Sequence, residues 1–345
     1  MTRKSRPTSA DVARLANVSQ SAVSRTFTLG ASVAPETKRK VLEAAKSLGY
    51  RPNAFARSLI TRNSRIIAVV LAYLDNSFYP RVLELLSRGL QRKGYHVMLF
   101  LAAPGGADDV LQEILQYQVA GILMASATLS SVLAKECEAA GIPIVLFNRY
   151  IPGSPNSSVT SDNYAGGVAV GEFLVAAGHE RIAYIAGASD ASTNKDRWAG
   201  LIKALSEAGR ACWGQADGAY SYDRAAQAAR EMFSDRAPPD RPDAVFVAND
   251  HMALAVMDVL RHELRLKVPE DVSVVGYDDV PQAAWPAYDL TTVEQAVEPM
   301  VDAAINILLG QVSNERVQRH NVVIPGDLVL RGSARLPGGL ARTMP

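Results

Sequence analysis

Gln20, Ser21, Ser24 and Arg25 recur at spacings that put them on one face of a helix. They are small polar groups with one arginine. A helix with such a face can lie close to base edges in a DNA major groove. There Gln suits adenine and Arg suits guanine, each good bidentate pair being worth ~1–3 kcal/mol of discrimination. Far along the chain, Arg197, Asn249 and Asp278 offer a fork donor, an amide and a carboxylate. Together they supply the mixed donors and acceptors that vicinal hydroxyls take. Neither group has the spacing of a catalytic centre. The chain has no GxGxxG after an apolar run, no Walker loop and no GxSxG elbow. Its five histidines (His96, His179, His251, His262, His320) lack metal-ligand spacing. No catalytic residue, metal ligand or cofactor is expected, and the chain does not read as an enzyme.

The elements that must position the first group are local. Thr8 and Asp11 have capping-box spacing, and Val12, Leu15 and Ala16 make one apolar face behind them. Asn17-Val18-Ser19 predicts a tight turn, since Asn tolerates the left-handed conformation. Ser19 then caps a second helix, from Gln20 to about Thr28. Pro35 begins a third, which carries Val41, Ala45 and Leu48 on one side and stops at Gly49. Three short helices with a three-residue turn between the first two match a helix-turn-helix. A helix meant for protein contact would expose larger apolar anchors than Gln20, Ser21 and Ser24. After these helices, Pro52, Ala54, Ala56 and Leu59 favour a further helix. Its eight residues fall below the ~12–15 at which an isolated helix becomes marginal in water, so it should form only when braced.

The second group sits among alternating apolar runs and amphipathic stretches. Strand-like runs recur at Ile66–Tyr73, His96–Leu101, Gly121–Met124, Ile142–Phe147, Ile182–Ile185, Ala244–Val247 and Ser273–Gly276. Helix-like segments lie between them, several ending at a glycine suited to a C-cap: Gly94, Gly141, Gly178, Gly209. Repeated strand–helix units mean parallel sheets covered by helices. The stretch is long for one sheet, so two lobes are expected. Ligands of such sheets bind just beyond the carboxyl ends of the strands.

Charge separates the two regions. The whole chain has 36 Lys+Arg against 35 Asp+Glu, net +1. Residues 1–65 hold 13 bases and 3 acids, net +10, and the remainder holds 23 and 32, net −9. A basic head on an acidic body points to polyanion binding by the head. Two cysteines, Cys137 and Cys212, cannot make a disulfide framework. No signal-peptide pattern follows the N-terminus, and the longest apolar run, Ile66–Leu74, is too short to span a bilayer. A cytoplasmic, nucleoid-associated protein with no membrane contact is expected.

Residues 8–62 resemble the head of the LacI/GalR family of bacterial transcription regulators, through the three helices and Leu48-Gly49-Tyr50-Arg51-Pro52-Asn53 beyond them. Asn17 stands where Gly is usual, Ala34 where a capping Ser or Thr is common, and Phe27-Thr28 replaces a commoner Leu-Asn. Residues 66–335 are similar to the sugar-binding lobes that these regulators share with periplasmic sugar-binding proteins. The matching segments include Asp75-Asn76-Ser77-Phe78-Tyr79, Asn148-Arg149, Ser161-Asp162-Asn163 with Gly166-Gly167, Arg197-Trp198-Ala199-Gly200, Asn249-Asp250 and Gly276-Tyr277-Asp278-Asp279. The resemblance implies a helix-turn-helix domain at 1–50, a hinge and linker at 51–65, and a two-lobed effector-binding and dimerisation domain at 66–335. A tail follows at 336–345. The chain should cross between the lobes near 160 and 290.

For the head, the resemblance implies that Gln20 and Ser21 read bases and that Arg25 sits deeper in the groove. Ser19, Ser24 and Thr26 would lie at or near phosphates, and Thr8 would belong to the same DNA-binding surface. Asn53, Ala56 and Arg57 belong to the hinge, where Leu59 acts as an apolar wedge that unstacks a base step. For the lobes, it implies an effector held first by Arg197, Asn249 and Asp278. Phe78, Tyr79 and Tyr220 could stack on a sugar face, and Asn76, Asn148 and Arg149 could add contacts. Asp162, Asp250 and Asp279 also read as cap, brace or turn residues. Arg149 and Lys195 add positive charge that would suit a sugar acid or sugar phosphate. The implied partners are double-stranded DNA at a near-palindromic operator, a small sugar-like effector and a second copy of the chain. The implied function is a sequence-specific regulator, a repressor in this reading. Two other readings stay open: a DNA-binding protein with a vestigial core, and a sugar-active enzyme with a DNA-binding head.

Overall fold

The computed structural model describes residues 7–28, 30–51, 64–103, 106–125, 131–234, 237–313 and 319–338. Asn53, Ala56, Arg57 and Leu59 lie outside the described residues. The chain divides into two compact units, Met1–Ser64 and Arg65–Pro345.

The first unit is three helices: α1 (Ser9–Ala16), α2 (Gln20–Thr26) and α3 (Pro35–Leu48). Thr8 and Asp11 form the expected capping box, and Asn17 takes φ 52° at the turn. Ser19 caps α2 by accepting the Ala22 N–H at 3.2 Å. Ala34 offers no cap bond to α3, where Pro35 stands first and Gly49 closes the helix at φ 66°. Val12, Ala13, Ala16, Val23, Val41, Ala44 and Ala45 form the core, flanked by Phe27 and Tyr50, whose ring centroids are 5.9 Å apart. Leu15 is not part of this core: it is exposed, and Ala13 takes the buried position.

The second unit holds two six-stranded sheets. The first lobe has β1 (Ile66–Leu71), β2 (His96–Leu101), β3 (Gly121–Ala125), β4 (Ile144–Phe147), β5 (Ser157–Ser161) and, late in sequence, β11 (Asn321–Ile324). Helices α4 (Phe78–Arg92), α5 (Ala107–Leu115), α6 (Ser131–Ala139) and α11 (Val297–Val312) go with it. The second lobe has β6 (Ile182–Ala186), β7 (Gly214–Asp217), β8 (Ala244–Val247), β9 (Ser273–Asp278), β10 (Thr291–Glu294) and β12 (Leu328–Val329). Its helices are α7 (Asn163–Ala176), α8 (Ser192–Glu207), α9 (Tyr222–Phe233) and α10 (Asp250–Asp258). The orders are β11-β5-β4-β3-β1-β2 and β12-β10-β9-β8-β6-β7. All neighbours run parallel except β10 and β12. The chain passes between sheets after Ser161, after Glu294 and after Ile324, one crossing more than the two expected.

Strands β1, β3, β4, β8 and β9 are buried on both faces, which is why they read as unbroken apolar runs. The four C-cap glycines all have φ between 68° and 82°. Helix α7 is apolar nearly all round because α8 packs tightly across it. That approach needs glycine: a Cβ at Gly167 would strike the Arg197 carbonyl, and one at Gly200 would strike that of Tyr164. The helix pair is thus what sets Arg197 in place.

Candidate DNA-reading face and effector cleft

In the head, Ala22 and Val23 are buried and Ser19, Gln20, Ser21, Ser24 and Arg25 are exposed on α2. The helix ends at Thr26, two residues earlier than expected. Phe27 turns into the core, and the Thr28 hydroxyl donates back to the Ser24 carbonyl at 2.9 Å. Gln20 Nε2 donates to Ser9 Oγ at 2.8 Å, which ties the side chain to the start of α1. Phosphate oxygens need donors, and two of the DNA-binding candidates have already used their hydroxyls. Thr8 Oγ1 donates to Asp11 at 2.7 Å, and Thr26 Oγ1 donates to the Ala22 carbonyl at 2.8 Å. The three acids of the head are engaged by bases: Asp11 by Arg14, Glu36 by Arg39 and Lys40, Glu43 by Arg39. Arg25, Lys38 and Lys46 make no ion pair among the described residues.

In the second unit, a cavity of about 290 Å³, part of it open to solvent, lies between the lobes. It is lined by Tyr73, Asn76, Tyr79, Asn148, Arg149, Thr193, Arg197, Tyr220, Asn249 and Asp278. Every one of these lies at or beyond the carboxyl end of a strand. Eight are among the nine effector candidates read from the sequence. The ninth, Phe78, is 2% exposed and packs in the core, edge-on beneath Tyr79. Tyr73 and Thr193 were missed. Tyr73 closes the first apolar run, and Thr193 lies in the first turn of α8, so the strand-end rule could have found both. Lys195 is exposed and outside the lining. Its neighbour Asp196 instead accepts from Tyr150 Oη at 3.0 Å, tying one lobe to the other.

Arg197 is the most tightly held group of the cleft. It is 2% exposed, and its Nε donates to Asn163 Oδ1 at 2.8 Å. One terminal nitrogen donates to the Ala248 carbonyl, and the other lies 3.6 Å from Asp278 Oδ1. The guanidinium carbon stacks 3.6 Å from the Tyr277 ring centroid. Gln295 Nε2 donates to Asp278 Oδ1 at 2.6 Å. Asn249 caps α10 by accepting the Met252 N–H at 3.0 Å. Asn148 Nδ2 donates to Tyr79 Oη at 3.3 Å, while Asn148 Oδ1 is buried with no hydrogen-bond partner. Tyr73, Asn148, Tyr220 and Asp278 all have positive φ, at 62°, 63°, 59° and 125°. Left-handed backbone at non-glycine residues is uncommon and strained, and here it gathers at one cavity.

Asp250 lies behind the cavity rather than in it. It accepts from Thr292 Oγ1 at 2.6 Å and from the Val280 N–H at 2.9 Å, a brace between α10, β10 and the loop after β9. Burial, with the nearby Asp278 carboxylate, pushes its pKa up to about 7. Burial also pushes Asp278 up, against the opposing pull of Arg197, to about 6. A carboxyl raised in the folded state takes up a proton that the unfolded chain does not. Its stability contribution is complete below the unfolded value of 3.8 and is lost as pH rises through 6 to 7. His251, lowered by burial against a weaker pull from Asp75, works the other way. The melting temperature of the wild type should therefore gain more on going from pH 8 to pH 6 than that of Asp250→Asn. Equal gains in parallel thermal melts would refute this origin.

Among the described residues no group of three His, Cys, Asp or Glu could hold a metal ion, and no helix is long and apolar enough to cross a membrane. Residues 8–53 match the family described as bacterial regulatory proteins, lacI family, and residues 172–334 match the periplasmic binding protein-like domain. The chain is 35% identical to the HTH-type transcriptional regulator CelR of Thermobifida fusca, covering 96% of this chain and all of that one. Among solved structures, the lac repressor dimer bound to operator and the anti-inducer ONPF is similar at a TM-score of 0.84. The two share 28% identity over 95% of this chain and 99% of that one. A complex of the regulator CelR with cellobiose is similar at a TM-score of 0.70 and 32% identity, covering 95% and 100%. With its three-helix head, its two-lobed core and a relative matched end to end, this chain belongs to the LacI family and is a DNA-binding transcriptional regulator with an effector-binding core.

Proposed function

We propose that the chain is a repressor that binds a near-palindromic operator as a homodimer and answers to a small polyhydroxy effector held between its lobes. One observation carries the reading. Arg197, Asn249 and Asp278, set after three different strands, meet in one cavity, with strained backbone beside them. A core without a ligand has no use for such strain. In this reading the three residues bind hydroxyls, Tyr79 and Tyr220 offer ring faces, and Asn76, Asn148 and Arg149 add polar contacts. Contacts between lobes supply the two-state element: Tyr150 with Asp196, and Tyr73 edge-on to Tyr220 at 6.3 Å. Effector and operator then alter each other's affinity through one coupling free energy.

On the head, Gln20, Ser21 and Arg25 read bases. Ser19 and Ser24 serve phosphate, and Thr8 and Thr26 hold the helices that present them. The dimer reading is supported by the edge strand β2, where Leu99 and Leu101 are 40% and 59% exposed. The test is to select genomic fragments with the full chain and then titrate sugars and their derivatives into the complex. Release of the selected fragment by one compound class supports the reading. Tight fragment binding that no compound alters would leave a ligand-unresponsive core.

A further inference from the structure

Arg197 and Arg149 face the same cavity in opposite circumstances. The Arg197 charge is balanced by Asp278, and its nitrogens are engaged. Arg149 is 7% exposed, yet it makes no hydrogen bond or ion pair with any described residue. It is held only between rings, its guanidinium carbon 5.7 Å from the Tyr73 centroid and 5.8 Å from that of Tyr220. Ring faces stabilise the charge but accept none of its five N–H donors. Arg149 lines the cavity, so its unused donors are placed to meet an acceptor that enters it.

The surroundings are arranged for an anion as well. Helices α4, α8 and α10 all begin beside the cavity, whose lining includes Asn76 just before α4, Thr193 in the first turn of α8 and the α10 cap Asn249, so three positive dipole ends lie near it. Helix α8 is capped by Ala191, which has no side-chain acceptor for its first-turn N–H groups. Asn148 Oδ1, buried and unpaired, is an acceptor for a hydroxyl.

Resting on the reading of this cleft as the effector site, we propose that the effector is a monoanionic sugar acid whose carboxylate is clamped by Arg149 while its hydroxyls meet Asn148, Asn249, Asp278 and Arg197. The planar guanidinium fork matches a carboxylate bidentately. A sugar phosphate carries about −1.5 to −2 charges at neutral pH, more than the single unbalanced guanidinium offsets.

Calorimetry and thermal melts of the full chain test this. The probes are D-gluconate, D-galactonate, D-glucuronate and D-galacturonate, against glucose, galactose and glucose 6-phosphate. At least one acid is expected to bind 30-fold or more tighter than its neutral parent. Arg149→Gln should cut that preference at least tenfold, and Arg149→Lys should restore part of it. If Arg149→Gln fails to fold, the wild-type preference for acid over neutral parent decides alone. A neutral sugar or a phosphate binding as well as the acids overturns the carboxylate assignment and leaves the effector site standing. No binding by any member of the panel overturns both.

Discussion

Arg197→Ala is expected to destabilise the second unit by about 3–5 kcal/mol, because removing one partner of a buried pair leaves the other charged and uncompensated. That loss is large against the ~5–15 kcal/mol of a typical folded domain and should lower the melting temperature on the order of 10 °C. Several things are lost together. Asp278 loses its counter-charge, Asn163 Oδ1 and the Ala248 carbonyl lose a donor, and the Tyr277 ring loses the stacked group 3.6 Å away. Arg197→Lys should rescue little, because an ammonium keeps the charge but cannot span Asn163, Ala248 and Asp278 with one planar fork. The pH dependence supplies a second check. Arg197 holds the Asp278 pKa down against burial, so without it that carboxyl rises further and protonates more readily in the folded state. The stability deficit should therefore shrink as pH falls from 8 to 6. Effector response should vanish, while the separate head retains non-specific DNA affinity. An unchanged melting temperature, or a deficit that grows toward acid, would refute this account of the cleft.

The head and the cleft were legible in the sequence to different depths, for physical reasons. The head is specified by local chemistry: Thr8 and Asp11 start α1, Asn17 ends it, Ser19 starts α2, and Pro35 and Gly49 bound α3. What was misread there depended on packing, since Leu15 had to be assigned to inside or outside by residues far along the chain. In the lobes, the doubly buried strands announced themselves as apolar runs. Strands β5 (SSVTS), β7 (GQAD) and β10 (TTVE) did not, because they are built largely from polar residues. β5 is wholly buried all the same, and its Ser157 hydroxyl accepts from Gln311 Nε2 and from the His320 N–H. Those partners lie more than 150 residues away, beyond the reach of periodicity. The third crossing was missed for the same reason, since β11 and β12 are short and partly exposed. Within the cleft, residue type and strand-end position marked most of the lining. They could not show that Phe78 points into the core while the adjacent Tyr79 reaches the cavity. Nor could they show that Arg197 is fully paired and Arg149 is not.

That contrast between paired and unpaired arginines recurs in the head and sets the second large effect. Arg14 and Arg39 are tied to Asp11, Glu36 and Glu43, whereas Arg25 stands exposed on α2 without an ion pair among the described residues. Arg25→Ala is expected to weaken operator binding by about 1–3 kcal/mol, roughly 5- to 150-fold, as loss of a bidentate contact to guanine would. Random-sequence DNA should be bound almost as well as before, and discrimination at a single base-pair position should relax. A phosphate contact predicts something different. Specific and non-specific affinity would fall together, and the slope of log affinity against log salt would flatten by about 0.9. Gel shifts of operator and random duplex at several salt concentrations separate the two outcomes. Equal losses with a flatter slope would move Arg25 from the base-reading group to the backbone-positioning group, leaving Gln20 and Ser21 to carry specificity on α2. An unchanged slope with loss confined to operator would place the guanidinium at a base edge, the role its free position on the helix face permits.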